Sequence, residues 1–189
     1  MKNIAVFISG AGSNALRMLD YFSEHEQVRV RCLVSSKANE AVSEVCNKMN
    51  VKYIESTFSE LDYEHILHQL EEYAVEWVVL AGFLKKIPPF VLRRFPNKII
   101  NLHPSLLPKY GGKGMYGMNV HRAVIKAKEK ESGITIHYVN EQYDKGKVIE
   151  QITIPVHPSY DANELFERIR KLEAEHFPRI IEKEVIKEE

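Results

Sequence analysis

The chain has 189 residues, of which 44% are hydrophobic and 28% are charged. Lys plus Arg and Asp plus Glu number 26 each, so the formal net charge is zero, and the composition predicts neither a nucleic-acid-binding nor a membrane-binding surface. This length and composition are typical of a soluble globular protein with a substantial core. We therefore expect residues 1–189 to form a single domain.

The first residues of the chain and its two cysteines indicate the cellular compartment of the protein. The apolar residues 4–8 form too short a run for a signal peptide or a membrane span, and they lead directly into a glycine loop. Cys32 and Cys46 have neither CxxC nor metal-ligand spacing, so we expect two reduced core thiols and no structural metal. The sequence thus predicts a cytoplasmic protein without a metal.

Strand-length apolar runs alternate with helical patterns over the first 110 residues. The runs are 3–9, 28–36, 51–54, 76–82 and 98–103. Helical periodicity occupies 38–49 and 59–73, and a further helix is predicted from the prolines of "PPFVLRRF". This alternation predicts an α/β fold with a mostly parallel sheet and helices on both faces. Ligands bind beyond the carboxyl ends of the strands in such sheets.

The pattern changes after residue 110. The segment "YGGKGMYGMN" (110–119) contains four glycines and predicts a long loop, followed by a helix. Two further β-like runs, 132–139 and 146–156, are expected to pair as a hairpin at the sheet edge. The last helix is predicted to begin with a capping box, and Pro178 is expected to kink or split it.

The glycine loop "SGAGSNA" (9–15) follows the first strand and opens a helix. Its glycines permit a tight turn, and the unpaired amides of the following helical turn can bind a phosphate without a charged side chain. The string also approximates the dinucleotide fingerprint G-x-G-x-x-A. Ser-Ser-Lys at 35–37 replaces the acid that NAD requires, although it suits NADP. An NADP-dependent oxidoreductase and a non-catalytic nucleotide-binding module therefore remain alternatives.

The fifth run ends in a polar pair that suits carbonyl chemistry. Asn101 and His103 share one face of a strand, and Pro104 ends that strand. An Asn amide can donate to an oxygen that gains charge, and a protonated His can do the same or supply a proton. Asp144 could orient an imidazole, but spacing alone does not distinguish it from Glu141 or from an ordinary turn residue.

Taken together, these motifs resemble those of the glycinamide ribonucleotide formyltransferases. The resemblance runs from residue 3 to about 180 and is carried by "ISGAGSN", "VVLAGFLKKI", "NLHPSLLPKYGG" and "GITIHYVNEQYDKG". It implies a Rossmann-like formyltransferase fold and direct formyl transfer from 10-formyltetrahydrofolate to the ribonucleotide amine, with no metal. Methionyl-tRNA formyltransferase and formyltetrahydrofolate hydrolase belong to the wider group, but each would carry an additional domain, which we do not expect in these 189 residues.

The resemblance also implies roles for particular residues. Asn101 would hold the formyl oxygen, His103 would stabilise the oxyanion or supply a proton, and Asp144 would support the imidazolium. The residues expected to bind the ribonucleotide are Gly12, Ser13 and Asn14 at the phosphate and Glu173 at the ribose. Those expected to bind folate are Leu84, Lys85, Lys86, Ile87, Asn101, Val139, Asn140 and Asp144. Small-molecule substrates are the implied partners of a monomer or homodimer.

Overall fold

The computed structural model describes residues 1–187, in which strands and helices alternate as far as the fifth strand. The strands are Lys2–Ile8 (β1), Val28–Ser35 (β2), Lys52–Glu55 (β3), Trp77–Leu80 (β4), Ile99–His103 (β5), Glu131–Tyr138 (β6) and Val148–Pro155 (β7). The helices are Ser13–Tyr21 (α1), Glu40–Lys48 (α2), Glu60–Glu72 (α3), Pro89–Arg94 (α4), Met118–Lys126 (α5) and Ala162–Val185 (α6).

The strands of this region form one sheet in the order β3-β2-β1-β4-β5-β6-β7. Strands β1 to β5 run parallel, whereas β6 is antiparallel to β5 and β7 is antiparallel to β6. The predicted α/β class, mostly parallel sheet and edge hairpin are confirmed. The strand order reverses between β1 and β4, and the carboxyl ends of strands at such a point leave a crevice for ligands.

Alternation along the strands divides the core into two layers. On one face, Ile4 and Val6 pack in a cluster with residues of α1, α2 and α6. On the other face, Ala5 and Phe7 pack in a cluster with residues of α3 and α4. Ile99 of β5 belongs to this second cluster, so the period of two places Asn101 and His103 on the same side of the sheet.

The last helix runs without a break from Ala162 to Val185, so Pro178 does not split it, and the alternative of a kink there stays a prediction. Proline removes one helical N–H, but Phe177, Pro178 and Ile181 are buried along one side of the helix. Tertiary packing of this kind, rather than local propensity, determines whether most helices form. The predicted capping box is present, because the Asp161 side chain accepts a hydrogen bond from the Glu164 backbone amide and the Asp161 backbone amide donates to the Glu164 side chain.

Both cysteines are buried free thiols, as predicted. Burial raises the pKa of Cys32 to about 12 and the pKa of Cys46 to about 11, so neither thiol ionises at neutral pH. Across residues 1–187, no helix combines the length and apolarity that crossing a membrane requires.

Candidate active site

The main cavity lies at the carboxyl ends of β1, β4 and β5 and has a volume of about 470 Å³. Two hydrogen bonds join the strand ends there. The Ser9 amide donates to the Gly82 carbonyl at 3.2 Å, and the Leu84 amide donates to the Ser9 hydroxyl at 3.1 Å. The cavity therefore occupies the crevice that the strand order predicts, and its lining includes Asn14 at the start of α1 and residues 84–87.

Nearly all of the site residues predicted from the sequence line this cavity. They are Asn14, Leu84, Lys85, Lys86, Ile87, Asn101, His103, Val139, Asn140, Asp144 and Glu173. Gly12 and Ser13 do not line it; they immediately precede Asn14 at the start of α1. The structure thus gathers side chains that are up to 159 positions apart in the chain, as the contact of Asn14 with Glu173 illustrates.

His103 is buried, and a backbone contact determines which of its nitrogens carries the proton. Nε2 lies 2.7 Å from the Tyr110 carbonyl oxygen, which can only accept, so Nε2 donates. Nδ1 lies 3.6 Å from Asp144 Oδ1. Burial lowers the pKa of His103 by more than the neighbouring Asp144 and Tyr110 raise it. The ring is therefore mainly neutral at neutral pH, and Nδ1 is the nitrogen that can gain a proton beside a carboxylate.

Asp144 is held in position by its own backbone conformation and by the backbone amide of Gly112. Its own φ of 54° is left-handed, a conformation in which Asp is tolerated better than most residues, and its Oδ2 accepts a hydrogen bond of 2.7 Å from the Gly112 amide. Burial alone would raise its pKa, but the neighbouring His137, the positive charge that His103 carries when it is protonated and the Gly112 amide together lower the pKa below its ordinary value. Asp144 is consequently ionised at neutral pH.

The sequence analysis missed His137, which lies beside all three polar groups. Its Nδ1 donates to the Tyr138 carbonyl at 2.8 Å, so its Nε2 is free to accept from the Asn101 side-chain amide at 3.1 Å. The same Nε2 lies 3.7 Å from Asp144 Oδ1. His137 therefore fixes the orientation of the Asn101 amide and leaves its second N–H group for another acceptor.

His121 of α5 is a second missed residue, and it is almost fully buried in the cavity wall. Its ring packs edge-on against Phe166 with the centroids 5.5 Å apart, and its Nδ1 has no hydrogen-bond partner among residues 1–187. Burial, assisted by His103, lowers its pKa to about 4, so the ring is neutral at neutral pH. The cavity wall thus contains a buried polar atom without a hydrogen-bond partner in the described part of the chain.

Asn14 and Glu173 connect α1 with α6 at the edge of the cavity. The Asn14 amide donates to Glu173 Oε2 at 2.8 Å. Burial raises the pKa of Glu173 despite the opposing effects of Asn14 and Arg170. Glu173 is therefore not on a fully solvated helix face, and its carboxyl group lines the cavity, where it can hydrogen-bond a ligand.

The start of α1 offers unpaired donors beside Asn14. Gly12 is the N-cap residue, with a left-handed φ of 78°, and no side chain caps the helix. The first-turn amides therefore keep free N–H groups at the positive end of the helix dipole. A Cβ atom on Gly12 would lie only 2.7 Å from Val42 Cγ2, so this position requires glycine for space as well as for conformation.

The fold and the site are those of an α/β enzyme that carries out its chemistry at the carboxyl ends of parallel strands. A family model described as formyl transferase matches residues 2–181. The chain therefore belongs to the formyl transferase family.

Individual relatives and solved structures agree with this assignment. A phosphoribosylglycinamide formyltransferase of Haemophilus influenzae is 35% identical, over 96% of this chain and 86% of the relative. A chloroplastic one of Arabidopsis thaliana is 36% identical over 93% of this chain, which spans only 62% of that relative's length. The crystal structure of a phosphoribosylglycinamide formyltransferase from Bacillus halodurans has a TM-score of 0.88 and 29% identity, covering 100% of this chain and 97% of its own. A glycinamide ribonucleotide transformylase from Geobacillus kaustophilus has a TM-score of 0.86 and 33% identity, covering 98% and 99%.

Proposed function

We propose that this chain transfers the formyl group of 10-formyltetrahydrofolate to the amine of glycinamide ribonucleotide, a step of purine biosynthesis. The observation that carries the proposal is the convergence of Asn101, His103 and Asp144 in one cavity beside a glycine loop with free amides. The names of the relatives and of the similar structures support the same reaction. An NADP-dependent oxidoreductase would leave these three side chains without a role.

In the proposed reaction the amine nitrogen attacks the formyl carbon, and the formyl oxygen gains negative charge. Asn101 stabilises this charge through the N–H group that it does not use for His137. The charge develops beside His103, whose Nδ1 then binds a proton more tightly because an oxyanion and Asp144 both face it. His103 can pass this proton to the departing folate nitrogen as the old carbon–nitrogen bond breaks, and the new amide nitrogen releases the proton that balances it.

The walls of the cavity suit the two substrates. Residues 84–87 line the cavity together with residues 139, 140 and 142–144, and we expect the pterin to lie between these two segments. Lys85 and Lys86 lie at the same edge and would meet the acidic folate tail as flexible charges. The ribonucleotide would bind with its phosphate at the amides of Gly12, Ser13 and Asn14 and with its ribose at Glu173.

Several further properties belong to the same proposal. We expect a monomer or homodimer in the cytoplasm, forming one formyltransferase domain and acting on small molecules rather than on nucleic acid or membranes. We also expect a reaction without a metal, because the proposed charge stabilisation uses Asn101 and His103. Within residues 1–187, no three His, Cys, Asp or Glu side chains are grouped so that they could hold a metal ion.

The function is tested by mixing the purified protein with 10-formyltetrahydrofolate, with and without glycinamide ribonucleotide. The loss of the formyl group is followed by absorbance, and the product is identified by mass. We expect formylation that depends on the ribonucleotide. Formate release without the ribonucleotide would indicate a hydrolase instead, and a folded protein that carries out neither reaction would overturn the proposal.

Replacing Gly12 by Ala is expected to raise the Michaelis constant for the ribonucleotide by roughly tenfold, with a smaller change in kcat. The reason is that the new Cβ atom displaces the loop from Val42 and so weakens the contacts with the phosphate in the ground state. Steady-state kinetics with each substrate varied will measure this. The double replacement Gly12→Ala with Val42→Ala is the matched control, since it removes the clashing methyl group, and it should recover part of the affinity. An unchanged constant in Gly12→Ala would contradict the phosphate assignment.

A further inference from the structure

Asn39, the residue before α2, connects two parts of the chain through one amide group. Its Oδ1 accepts a hydrogen bond from the Val42 amide at 3.2 Å and so caps α2. Its Nδ2 donates in the opposite direction, to the carbonyls of Gly10 at 3.2 Å and Ala11 at 3.3 Å. The glycine loop is thus hydrogen-bonded to the first turn of a neighbouring helix.

The same helix turn also packs directly against the loop. A Cβ atom at Gly12 would lie 2.7 Å from Val42 Cγ2, so the loop passes close to α2 at a point where only glycine fits. The Asn39 bonds in turn oppose its movement away. Two independent contacts, one steric and one polar, therefore fix the distance between the loop and α2.

Holding these carbonyls also orients the amides of the loop. In a planar trans peptide the N–H group points opposite to the C=O group. Because Asn39 holds the carbonyls of Gly10 and Ala11 on its own side, the N–H groups of Ala11 and Gly12 point to the opposite side. The chain thereby gains two oriented donors immediately before the free amides of α1, and successive amides of this kind form an anion-binding nest.

We propose that Asn39 is a positioning residue for phosphate binding, which it supports by bracing the glycine loop in the conformation that presents these amides. The inference rests on the proposed binding of the ribonucleotide phosphate by this loop. Asn39 does not line the main cavity, so its effect falls on binding of the phosphate rather than on the chemical step.

The residue type matters because Asn supplies both an acceptor and donors. Ser and Asp are equally good helix caps, so both would retain the bond to the Val42 amide. Ser has no amide donors to offer the two carbonyls. Asp has none either, and its carboxylate would face two carbonyl oxygens and add negative charge near a phosphate, which is repulsive.

The test measures kinetics and phosphate binding in Asn39→Ser, Asn39→Asp and Asn39→Ala. Asn39→Ser should raise the Michaelis constant for the ribonucleotide about threefold to tenfold, the size of one or two lost neutral hydrogen bonds. Asn39→Asp should raise it further. We expect kcat and the Michaelis constant for folate to stay within about twofold in both, because the Asn101, His103 and Asp144 group is not touched.

Two comparisons distinguish the loss of the hydrogen bonds to the glycine loop from the loss of the helix cap and from the effect of an added charge. Asn39→Ala loses the cap as well, so its affinity should match that of Asn39→Ser while its thermal midpoint falls by about 2–4 °C. Asn47→Asp places the same charge on an exposed position of α2 and should leave the ribonucleotide constant unchanged. The inference would be overturned if Asn39→Ser and the unaltered protein had equal Michaelis constants for the ribonucleotide. It would also be overturned if Asn47→Asp raised that constant as much as Asn39→Asp does.

A binding measurement keeps this result distinct from failure of the proposed reaction. Inorganic phosphate is titrated into each protein and followed by ³¹P NMR line broadening, which requires no turnover. If the unaltered protein binds phosphate and Asn39→Ser, which adds no charge, binds it more weakly, the inference stands even where no formyl transfer is observed. Absence of phosphate binding in the unaltered protein, or equal binding in Asn39→Ser, overturns it.

Discussion

Replacing Asp144 by Asn is expected to lower kcat about 10²- to 10⁴-fold with little change in either Michaelis constant. The side chain keeps its size and retains an oxygen for the Gly112 amide, so the loop geometry should survive. What is lost is the negative charge 3.6 Å from His103 Nδ1. Steady-state kinetics of the purified variant will measure the change, with Glu141→Gln on the same loop as the control that should retain activity.

The pH profile of Asp144→Asn gives a second readout that a purely structural role would not change. Asp144 raises the pKa of His103 against the effect of burial, so removing its charge lowers that pKa further. If protonated His103 is the active form, the basic limb of kcat/KM moves to lower pH and part of the lost activity returns on acidification. Turnover equal to that of the unaltered protein, or a basic limb that does not move, would contradict the role assigned to Asp144.

Much of the fold follows from patterns that are local in the sequence. Each apolar run of the first half became a strand within a few residues of its predicted bounds, because buried parallel strands are marked by continuous apolar residues. The rule that ligands bind at the carboxyl ends of such strands then placed Asn101 and His103 correctly in the cavity. Local pattern and a topological rule were sufficient for these residues.

Other parts of the site depend on geometry that spacing does not encode. His137 meets Asn101 because the antiparallel register pairs these two positions of β5 and β6, and that register was not deducible from either strand alone. A signal was nevertheless present, since Thr135 and His137 alternate with apolar residues as Asn101 and His103 do. Asp144 differs from Glu141 in having a left-handed backbone conformation that brings its carboxylate to Gly112.

Tyr110 is a similar case, in which a backbone group rather than a side chain contributes to the site. Its φ of 55° is left-handed, an uncommon conformation for a bulky residue. Its carbonyl oxygen accepts a hydrogen bond from His103 Nε2, with 2.7 Å between the two atoms. No sequence motif predicts this hydrogen bond, because the direction in which the Tyr110 carbonyl points depends on the loop conformation and not on the residue type. Such strained residues are found disproportionately at functional sites, and this one determines the tautomer of the histidine.

Replacing His103 by Ala is expected to lower kcat about 10²- to 10⁴-fold, while both Michaelis constants change much less. The reason is that His103 stabilises charge that develops only after both substrates are bound. Kinetics of His103→Ala and His103→Gln will measure the loss. The Gln amide can still donate to the Tyr110 carbonyl but cannot carry a charge, so a role in positioning alone predicts recovery in His103→Gln, whereas the proposed role predicts none.

Added imidazole provides the complementary test of the same assignment. The ring of His103 is almost fully buried, so its removal leaves a space lined by the Tyr110 carbonyl and Asp144, which together suit a free imidazole. We expect imidazole to restore part of the activity of His103→Ala and none in Asp144→Asn, where the ring is already present. If the activity restored by imidazole changes with pH in proportion to the fraction of imidazolium, then the protonated ring is the active form. Full activity of His103→Ala without imidazole would remove His103 from the reaction and leave Asn101 as the sole stabiliser of the oxyanion in this site.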